Sequence, residues 1–474
     1  MKKLFFVMMF LVLFGAASVS VVPAVYATNG MNLEGYGPIA TGMGGASMAY
    51  DNGAAAVMNN PATLGLMPEG DRLDVAVGLL GPHITTKMTG MPDAKSSADA
   101  FYMPALGWVR KSGQISYGAG LFSQGGMGTE YAADSFLALG SGDKVMSQVG
   151  FGRVLFPLAY EVNKDLSIGG TIDFVWASMD LKMALPGTEF LAMASGTSQF
   201  GSASGSMVNI LAGAIGGGSI NVPAWTRFDF ADDSNFSGKA KSTGLAAKIG
   251  GVYKVSDVLA VGATYHSKTS MGDMEASGAT LSMSVTGPGV GGGPATIPIT
   301  GKIKVKDFQW PQMIGAGVAY QASDKLMLVF DYKWINWKDV LKDFKMTFTA
   351  DATQASPLAA GFGLGGQVVN ATLYQNWKDQ NVFMLGAGYK INNEFTVRVG
   401  ANLANNPVPD FYENPLFPAI IKNHYMVGAG YLISKASSVD VSFTYAPEVK
   451  VTNGQGMTTT HNQKNAQVMY SYRF

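Results

Sequence analysis

The sequence of 474 residues contains no cysteine, and only 14% of its residues are charged. The lack of cysteine suits a chain that is exported unfolded through an oxidising compartment, where stray disulfides would trap it. Globular proteins usually carry about 25% charged residues, so the low charge argues against an ordinary secreted globular protein. The formal net charge is zero, which argues against nucleic acid as a partner.

Long apolar runs are also missing, because after residue 27 no uninterrupted apolar segment reaches the ~18 residues of a membrane-spanning helix. This excludes a helical membrane protein. The apolar run of residues 4–15 follows Lys2 and Lys3, and Val25 and Ala27 provide the small residues of a cleavage site. We therefore predict a secretory signal peptide over residues 1–27. A retained anchor is disfavoured because the run is too short to cross a bilayer.

Hydrophobicity is instead distributed over short alternating segments. Residues 466–474 alternate strictly, with Tyr470, Tyr472 and the terminal Phe474 on one face and polar residues on the other. A soluble antiparallel sheet can alternate in the same way. The low charge and the positive mean hydropathy of +0.14 favour strands that separate lipid from a lumen.

From residue 72 onward, such segments are joined alternately by short polar turns and long glycine-rich loops. Counting them predicts an all-β protein, a 14-stranded antiparallel transmembrane β-barrel over residues 72–474. Residues 28–71 contain no convincing membrane strand. Residues 184–242 form a long loop, predicted to be extracellular, with apolar helical segments.

Several stretches then occur in a recognisable order. They are Asn60-Pro61-Ala62 after a small-residue segment, Gly128-Thr129-Glu130, Trp334-Ile335-Asn336-Trp337, Trp377-Lys378-Asp379 and Asn406-Pro407-Val408-Pro409. Together they resemble the FadL-type outer-membrane transporters of long-chain fatty acids and other hydrophobic compounds. The resemblance implies that residues 28–71 form a hatch that plugs the barrel lumen. It also implies passive uptake by loop capture, an internal apolar pocket and lateral exit beside a kinked third strand.

The sequence offers candidate residues for both the hatch and the kink. Asn60, Pro61 and Ala62 form the hatch motif, although Asn and Pro also favour ordinary turns. Gly125, Gly126 and Gly128 are candidates for the kink and lateral gate, because glycine weakens a strand and permits a bulge. The alternative is that these glycines only begin a loop.

The long loop carries a set of apolar residues that we predict to capture cargo, since exposed apolar surface often marks a binding site. They are Phe190, Leu191, Met193, Val208, Ile210, Leu211 and Ile215. Packing of the loop upon itself is the alternative.

If cargo carries a carboxylate, a lumenal cation should meet it, and Lys378 and Arg398 are the candidates. Each could instead pair with a carboxylate as structural support. Where fatty-acid transporters carry an arginine late in the fifth strand, this chain has Trp176 through Asp180. That departure leaves neutral hydrocarbons open as cargo.

The resulting hypothesis is a monomeric outer-membrane transporter with no catalytic site, cofactor or metal. Its expected partners are hydrophobic small molecules, outer-membrane lipid and lipopolysaccharide, and the outer-membrane assembly machinery. The C-terminal residues Tyr470, Tyr472 and Phe474 resemble the signal that this machinery recognises. One alternative is an aromatic-hydrocarbon channel of the same fold. Further alternatives are an outer-membrane hydrolase, a surface adhesin or receptor, and an open porin. The hatch-like segment argues against the open porin.

Overall fold

The computed structural model describes residues 29–232, 234 and 237–474. The signal peptide predicted for residues 1–27 lies outside the described residues. Within them, a single antiparallel β-sheet of 22 strands closes on itself. The first and last strands pair along their length, from Arg72 opposite Arg473 to Lys87 opposite Thr458.

The strands are β1 Gly70–Lys87, β2 Ala94–Lys95, β3 Phe101–Ser112, β4 Ile115–Tyr131, β5 Val145–Glu161, β6 Leu166–Pro186, β7 Gly201–Ser204, β8 Trp225–Asp229, β9 Ala240–Ser256, β10 Leu259–His266, β11 Ser270–Met271, β12 Met274–Val285, β13 Ala295–Lys306, β14 Met313–Gln321, β15 Leu326–Ile335, β16 Asp343–Ala350, β17 Val368–Tyr374, β18 Gln380–Lys390, β19 Phe395–Ala404, β20 Asn423–Ser434, β21 Ser437–Thr452 and β22 Thr458–Arg473. The α-helices are α1 Pro38–Thr41, α2 Gly187–Ser195, α3 Ser206–Gly216, α4 Trp337–Val340 and α5 Pro357–Gly361. Short 3-10 helices span Gly53–Val57, Pro61–Leu66, Phe136–Ala138, Pro288–Val290 and Asp410–Tyr412.

The wall runs in the order β1, β3, β4, β5, β6, β9, β10, β14, β15, β18, β19, β20, β21 and β22, and returns to β1. Further strands, including β8, β12, β13, β16, β17 and β7, extend the same sheet beyond one end of this wall. The prediction of a 14-stranded fold is therefore wrong, because the sheet formed by the described residues has 22 strands.

The missed strands lie in stretches whose glycines favour loops. In β13, Ile297, Ile299, Ile303 and Val305 are buried and alternate with residues exposed to water. This is the alternation of a half-buried strand, but its apolar face is turned inward. Chain segments outside a bilayer must bury their apolar face, so these loops fold into hairpins over the barrel end.

The wall itself shows the opposite arrangement. On β6, Ile172 is 67% exposed on the outer surface, whereas Asp173 is fully buried inside. The outer face of the neighbouring strand β9 carries Leu245 and Ile249, both more than half exposed. An outward apolar belt around a closed sheet is the arrangement that lipid requires, because pairing between neighbouring strands satisfies the backbone groups of the wall.

Of the segment predicted as the hatch, residues 28–71, residues 29–67 lie largely buried inside this wall and contain α1 and two of the 3-10 helices, whereas Pro68 and Glu69 are exposed and β1 begins at Gly70. Glycine allows its backbone to touch the barrel backbone. A Cβ built on Gly44, whose φ is +77°, would lie 2.5 Å from the carbonyl oxygen of Leu385 and 2.6 Å from that of Ala401. A side chain at Gly44 would therefore push the hatch off the wall.

The end of β22 completes the closure. The backbone amide and carbonyl of Asp71 exchange hydrogen bonds of 2.9 and 3.1 Å with those of Phe474, and the ring of Phe474 stacks on that of Tyr472. Tyr470 lies opposite Val75 of β1.

Candidate functional site

A cavity of about 430 Å³ opens among the loops at the end of the barrel where the extra strands rise. We call it the outer cavity. Its lining is mainly apolar and includes Met88, Met91, Phe136, Leu137, Leu139, Val145, Met183, Leu185, Pro186, Met193, Phe200, Leu373, Tyr374, Tyr412, Pro415, Leu416 and Met457. Ligand sites are typically apolar concavities of this kind with few polar groups.

The seven apolar loop residues lie on α2 and α3. Met193 of α2 lines the outer cavity. Phe190, Val208 and Leu211 are buried in the core that continues beneath the loops, and Leu191, Ile210 and Ile215 are partly buried. The structure therefore brings one of the seven to the cavity surface and packs the others behind it or beside it.

Below the outer cavity, the lumen contains a chain of buried aromatic rings that we call the aromatic cluster. Ring centroids are separated by 4.9 Å for Phe151 and Trp310, 5.5 Å for Trp310 and Trp337, and 5.3 Å for Trp337 and Trp377. A second branch runs through Phe308, Phe344 and Phe417. Tilted and edge-to-face contacts at these separations are the favourable geometries for aromatic pairs.

A small inner cavity of about 20 Å³ lies against this cluster, lined by Met31, Met127, Phe308, Leu341, Phe344, Gln375, Trp377 and Phe417. Gln375 also lines the outer cavity, so the two cavities are neighbours. Two methionines, Met31 from the hatch and Met127 from β4, form part of the wall. Their flexible side chains can adapt to ligands of different shape.

The barrel wall is interrupted next to this inner cavity. Pairing of β3 with β4 ends where Ala105 lies opposite Phe122, although β4 continues along β5 to Tyr131. A register shift between Ser123 and Gly125 marks a bulge in β4. Over this stretch the described residues give β4 no ladder partner from β3, which leaves an opening in the wall.

The hatch covers the opening from inside. The amide of Gly126 donates a 3.0 Å hydrogen bond to the carbonyl of Met31, and Asn32 forms a β-bridge with Gly125. The hydroxyl of Tyr36 donates a 2.7 Å hydrogen bond to the carbonyl of Gln124. Backbone groups that β3 leaves without partners are thus satisfied by the hatch, as buried backbone groups require.

A third cavity, the side cavity of about 40 Å³, adjoins the opening. Leu33 and Tyr36 of the hatch and Met103, Pro104 and Phe122 of the wall are among its lining residues. It continues the apolar surface from the hatch to the edge of β3.

Charged groups lie on the inner wall beside the bulge. Asp173 accepts hydrogen bonds of 2.6 Å from Arg153 and 2.7 Å from Lys248, and all three side chains are buried. Arg153 also donates to the side chain of Gln124 in the bulge. The pairing offsets part of the cost of burying these charges and anchors the bulge.

Asn60 ties the hatch to the opposite wall. Its side-chain oxygen accepts a 3.1 Å hydrogen bond from the amide of Ala62, and Pro61 begins a 3-10 helix. Its side-chain nitrogen donates to the carbonyls of Met48 in the hatch, at 2.8 Å, and Gly251 in β9, at 3.1 Å.

The two candidate cations lie elsewhere. Arg398 pairs with Asp440 at 2.8 Å, in a polar recess on the side of the hatch away from the outer cavity. Lys378 has an exposed side chain. Neither is among the described residues that line the outer or inner cavity. In the described part of the chain, no group of three or more His, Asp or Glu side chains is placed to hold a metal ion.

Sequence reasoning did not identify the aromatic cluster as a site. Trp337 and Trp377 belong to stretches that carried the family resemblance, but Phe151, Trp310 and Phe417 are far apart in the sequence. Only the closure of the barrel brings them together.

Comparison with known proteins gives consistent matches. The family model described as outer membrane protein transport protein (OMPP1/FadL/TodX) matches residues 17–472. The crystal structure of the P. putida toluene transporter TodX is 30% identical, with a TM-score of 0.79, covering 94% of this chain and 99% of that chain. The Ralstonia pickettii toluene transporter TbuX is also 30% identical, with a TM-score of 0.73 and the same coverage.

A curated relative from Chlorobium limicola, described as an uncharacterized protein in the phosphoenolpyruvate carboxykinase gene 5' region, is 49% identical over 98 residues. That match spans 20% of this chain and 43% of the relative.

Proposed function

This chain belongs to the outer membrane protein transport protein family (OMPP1/FadL/TodX) and lies in the bacterial outer membrane, and we propose that it carries small neutral hydrophobic molecules across that membrane. The observation that carries the proposal is the series of neighbouring apolar sites. It begins at the outer cavity, passes the aromatic cluster, and ends at the break between β3 and β4.

Capture occurs in the outer cavity, where transfer of an apolar molecule out of water is favourable by about 25 cal/mol for each Å² buried. Gln375 separates this cavity from the inner one. A cargo molecule moves inward by displacing the side chains of Met31 and Met127, whose thioethers adapt at little cost. No energy source is needed, because consumption inside the cell maintains the gradient.

Exit is lateral, through the opening beside β4. The barrel lumen below the inner cavity is filled by the hatch, whereas the opening is covered by the contacts of Met31, Asn32 and Tyr36 with β4 and by the ring of Trp310 beside Gly125. Detachment of this short segment exposes a path to the lipid. The glycines of the bulge, Gly125 and Gly126, have no side chains that would block this path.

Neutral cargo is favoured over carboxylates. The predicted head-group cations Lys378 and Arg398 do not line the cavities, and Arg398 is already paired. TodX and TbuX are named toluene transporters. An aromatic hydrocarbon of that size suits stacking against Trp310 and Trp377.

The test measures uptake of labelled toluene and labelled oleate by cells that express the protein as their only member of this family. We expect toluene uptake to exceed the vector control, and Gly126→Val to lower it without reducing the amount of inserted barrel. Gly213→Val is the matched control, since a Cβ at Gly213 meets open space. Equal uptake by the Gly126→Val variant would reject the lateral route.

Conductance provides the second readout. A hatch-filled barrel should give no large steady ion current in a planar bilayer. A large steady current would overturn the proposal and favour an open porin.

A further inference from the structure

One acidic side chain is buried in the lining of the outer cavity. Glu413 follows the 3-10 helix Asp410–Tyr412, and only 3% of its surface is exposed. The side chain of Thr459 lies close to this carboxyl, but neither carboxyl oxygen makes a well-formed hydrogen bond with the described residues. A buried carboxyl that is so weakly hydrogen-bonded is costly, so its persistence beside a cavity points to a ligand group.

Electrostatics keep this carboxyl neutral. Burial raises the pKa of Glu413, an interaction with Thr459 of β22 partly opposes this rise, and the charge of Asp410 adds to it, so that the pKa is about 8. Tyr131 of β4 also faces it. A protonated carboxyl has an O–H that donates and a carbonyl that accepts a hydrogen bond.

The remaining polar groups of the outer cavity do not supply a positive charge. Glu189 of α2 is the second acid, and Tyr374, Tyr412, Gln375 and Gln455 are neutral. Of the described residues that line the cavity, none is lysine, arginine or histidine. A carboxylate ligand would enter a desolvated site with two carboxyl groups and no counter-ion, which is unfavourable.

We propose that the outer cavity selects neutral hydrophobic molecules that carry one hydrogen-bonding oxygen, such as an aryl ketone or alcohol, and that Glu413 binds this oxygen. This inference rests on the proposed function and narrows its cargo class. The apolar body of the ligand occupies the methionine- and leucine-lined surface. The buried acid then fixes the orientation of the molecule at the entrance.

The test uses the purified full-length protein in detergent and four labelled probes of similar size. Ethylbenzene is apolar, acetophenone carries a ketone, benzoate is an anion and phenethylamine is a cation. Equilibrium dialysis gives a Kd for each probe with the wild type, Glu413→Leu and Glu413→Gln. Glu189→Gln is the matched control, because it removes the other acid of the same cavity.

We expect Glu413→Leu to weaken acetophenone binding about tenfold, the effect of losing one hydrogen bond. Ethylbenzene binding should change less than twofold, and Glu413→Gln and Glu189→Gln should retain acetophenone. An equal loss for ethylbenzene and acetophenone would overturn the inference, because Glu413 would then only shape the cavity. Stronger binding of benzoate or phenethylamine than of acetophenone would also overturn it.

The wild type provides an independent readout if Glu413→Leu does not fold. Acetophenone binding should weaken as pH rises through about 8, while ethylbenzene binding stays constant and Glu413→Gln shows no such dependence. A flat acetophenone profile in the wild type would contradict the inference. Failure of the proposed function would look different, because ethylbenzene would then neither bind to the protein nor enter cells.

Discussion

The contact between Tyr36 and the bulge of β4 allows a quantitative test of how the hatch covers the wall opening. The Tyr36 hydroxyl donates to the carbonyl of Gln124 at 2.7 Å and lies 3.1 Å from the side-chain oxygen of Asn32. Tyr36→Phe keeps the ring but leaves a buried carbonyl without its donor, which costs about 1–3 kcal/mol. A cost of about 2 kcal/mol makes detachment of the hatch segment roughly 30-fold more frequent.

The amide of Gly126 reports this detachment, because it is bonded to the carbonyl of Met31. Hydrogen exchange followed by mass spectrometry should show protection of the β4 segment around Gly126 falling about 30-fold in Tyr36→Phe. Tyr50→Phe is the matched control, since the Tyr50 hydroxyl bonds to Ala46 within the hatch, at 2.6 Å. Unchanged protection at Gly126, or the same change in both variants, would refute the reasoning.

Three further predictions concern the bulge of β4, the aromatic cluster and the protonation of Glu413. In Gly125→Ala the new Cβ would lie 2.1 Å from the carbonyl oxygen of Met31. This clash should destabilise the contact between hatch and β4 by about 1–3 kcal/mol and accelerate amide hydrogen exchange in β4, whereas Gly213→Ala should leave exchange unchanged. Trp310→Ala removes the centre of the aromatic cluster; we expect a loss of about 3–5 kcal/mol in unfolding experiments and weaker toluene binding, and an unchanged Tm would contradict the packing argument. Burial raises the pKa of Glu413 from 4.5 to about 8, so the folded loop retains a proton that the unfolded loop releases, and its stability falls as pH rises between these values. Across this pH range the loop loses on the order of 5 kcal/mol of stability at most. Amide hydrogen exchange of residues 405–422 should therefore accelerate, beyond the intrinsic effect of pH, in the wild type but not in Glu413→Gln.

Membrane insertion and family membership were accessible from the sequence because they depend on local patterns. Alternation in β21, with Val441 and Phe443 outward and Ser442 inward, survives intact in the structure. Lipid outside the wall requires an apolar residue at every second position, so each strand carries the signal by itself. The matched family model confirms the resemblance drawn from the short motifs.

The strand count was wrong for a related reason. Residues such as Ile299 and Leu281 alternate as clearly as those of the wall, but glycine-rich neighbours favour loops. Alternation gives the two faces of a strand without saying which faces lipid and which faces a covered interior. The hairpins were therefore missed where the apolar face turns inward, above the membrane.

The candidate site was only partly accessible. Glycine at positions 125 and 126 predicted a weak point in the third wall strand, and a bulge lies there. Glu413, in contrast, belongs to an unremarkable loop in the sequence. Its environment depends on Tyr131 of β4 and Thr459 of β22, which come near it only after the barrel closes.

The sequence by itself determined the environment of this protein, since the composition, the absence of long apolar runs and the period-two alternation require a closed sheet in lipid. Tertiary structure decided the route and the chemistry of its cavities. The rings of Phe151, Trp310 and Trp377, the acid Glu413 and the hatch contact at Gly126 come from different segments of the chain, spread over residues 126–413. Their proximity follows from the register in which neighbouring strands pair around the barrel, and that register is a property of the whole sheet.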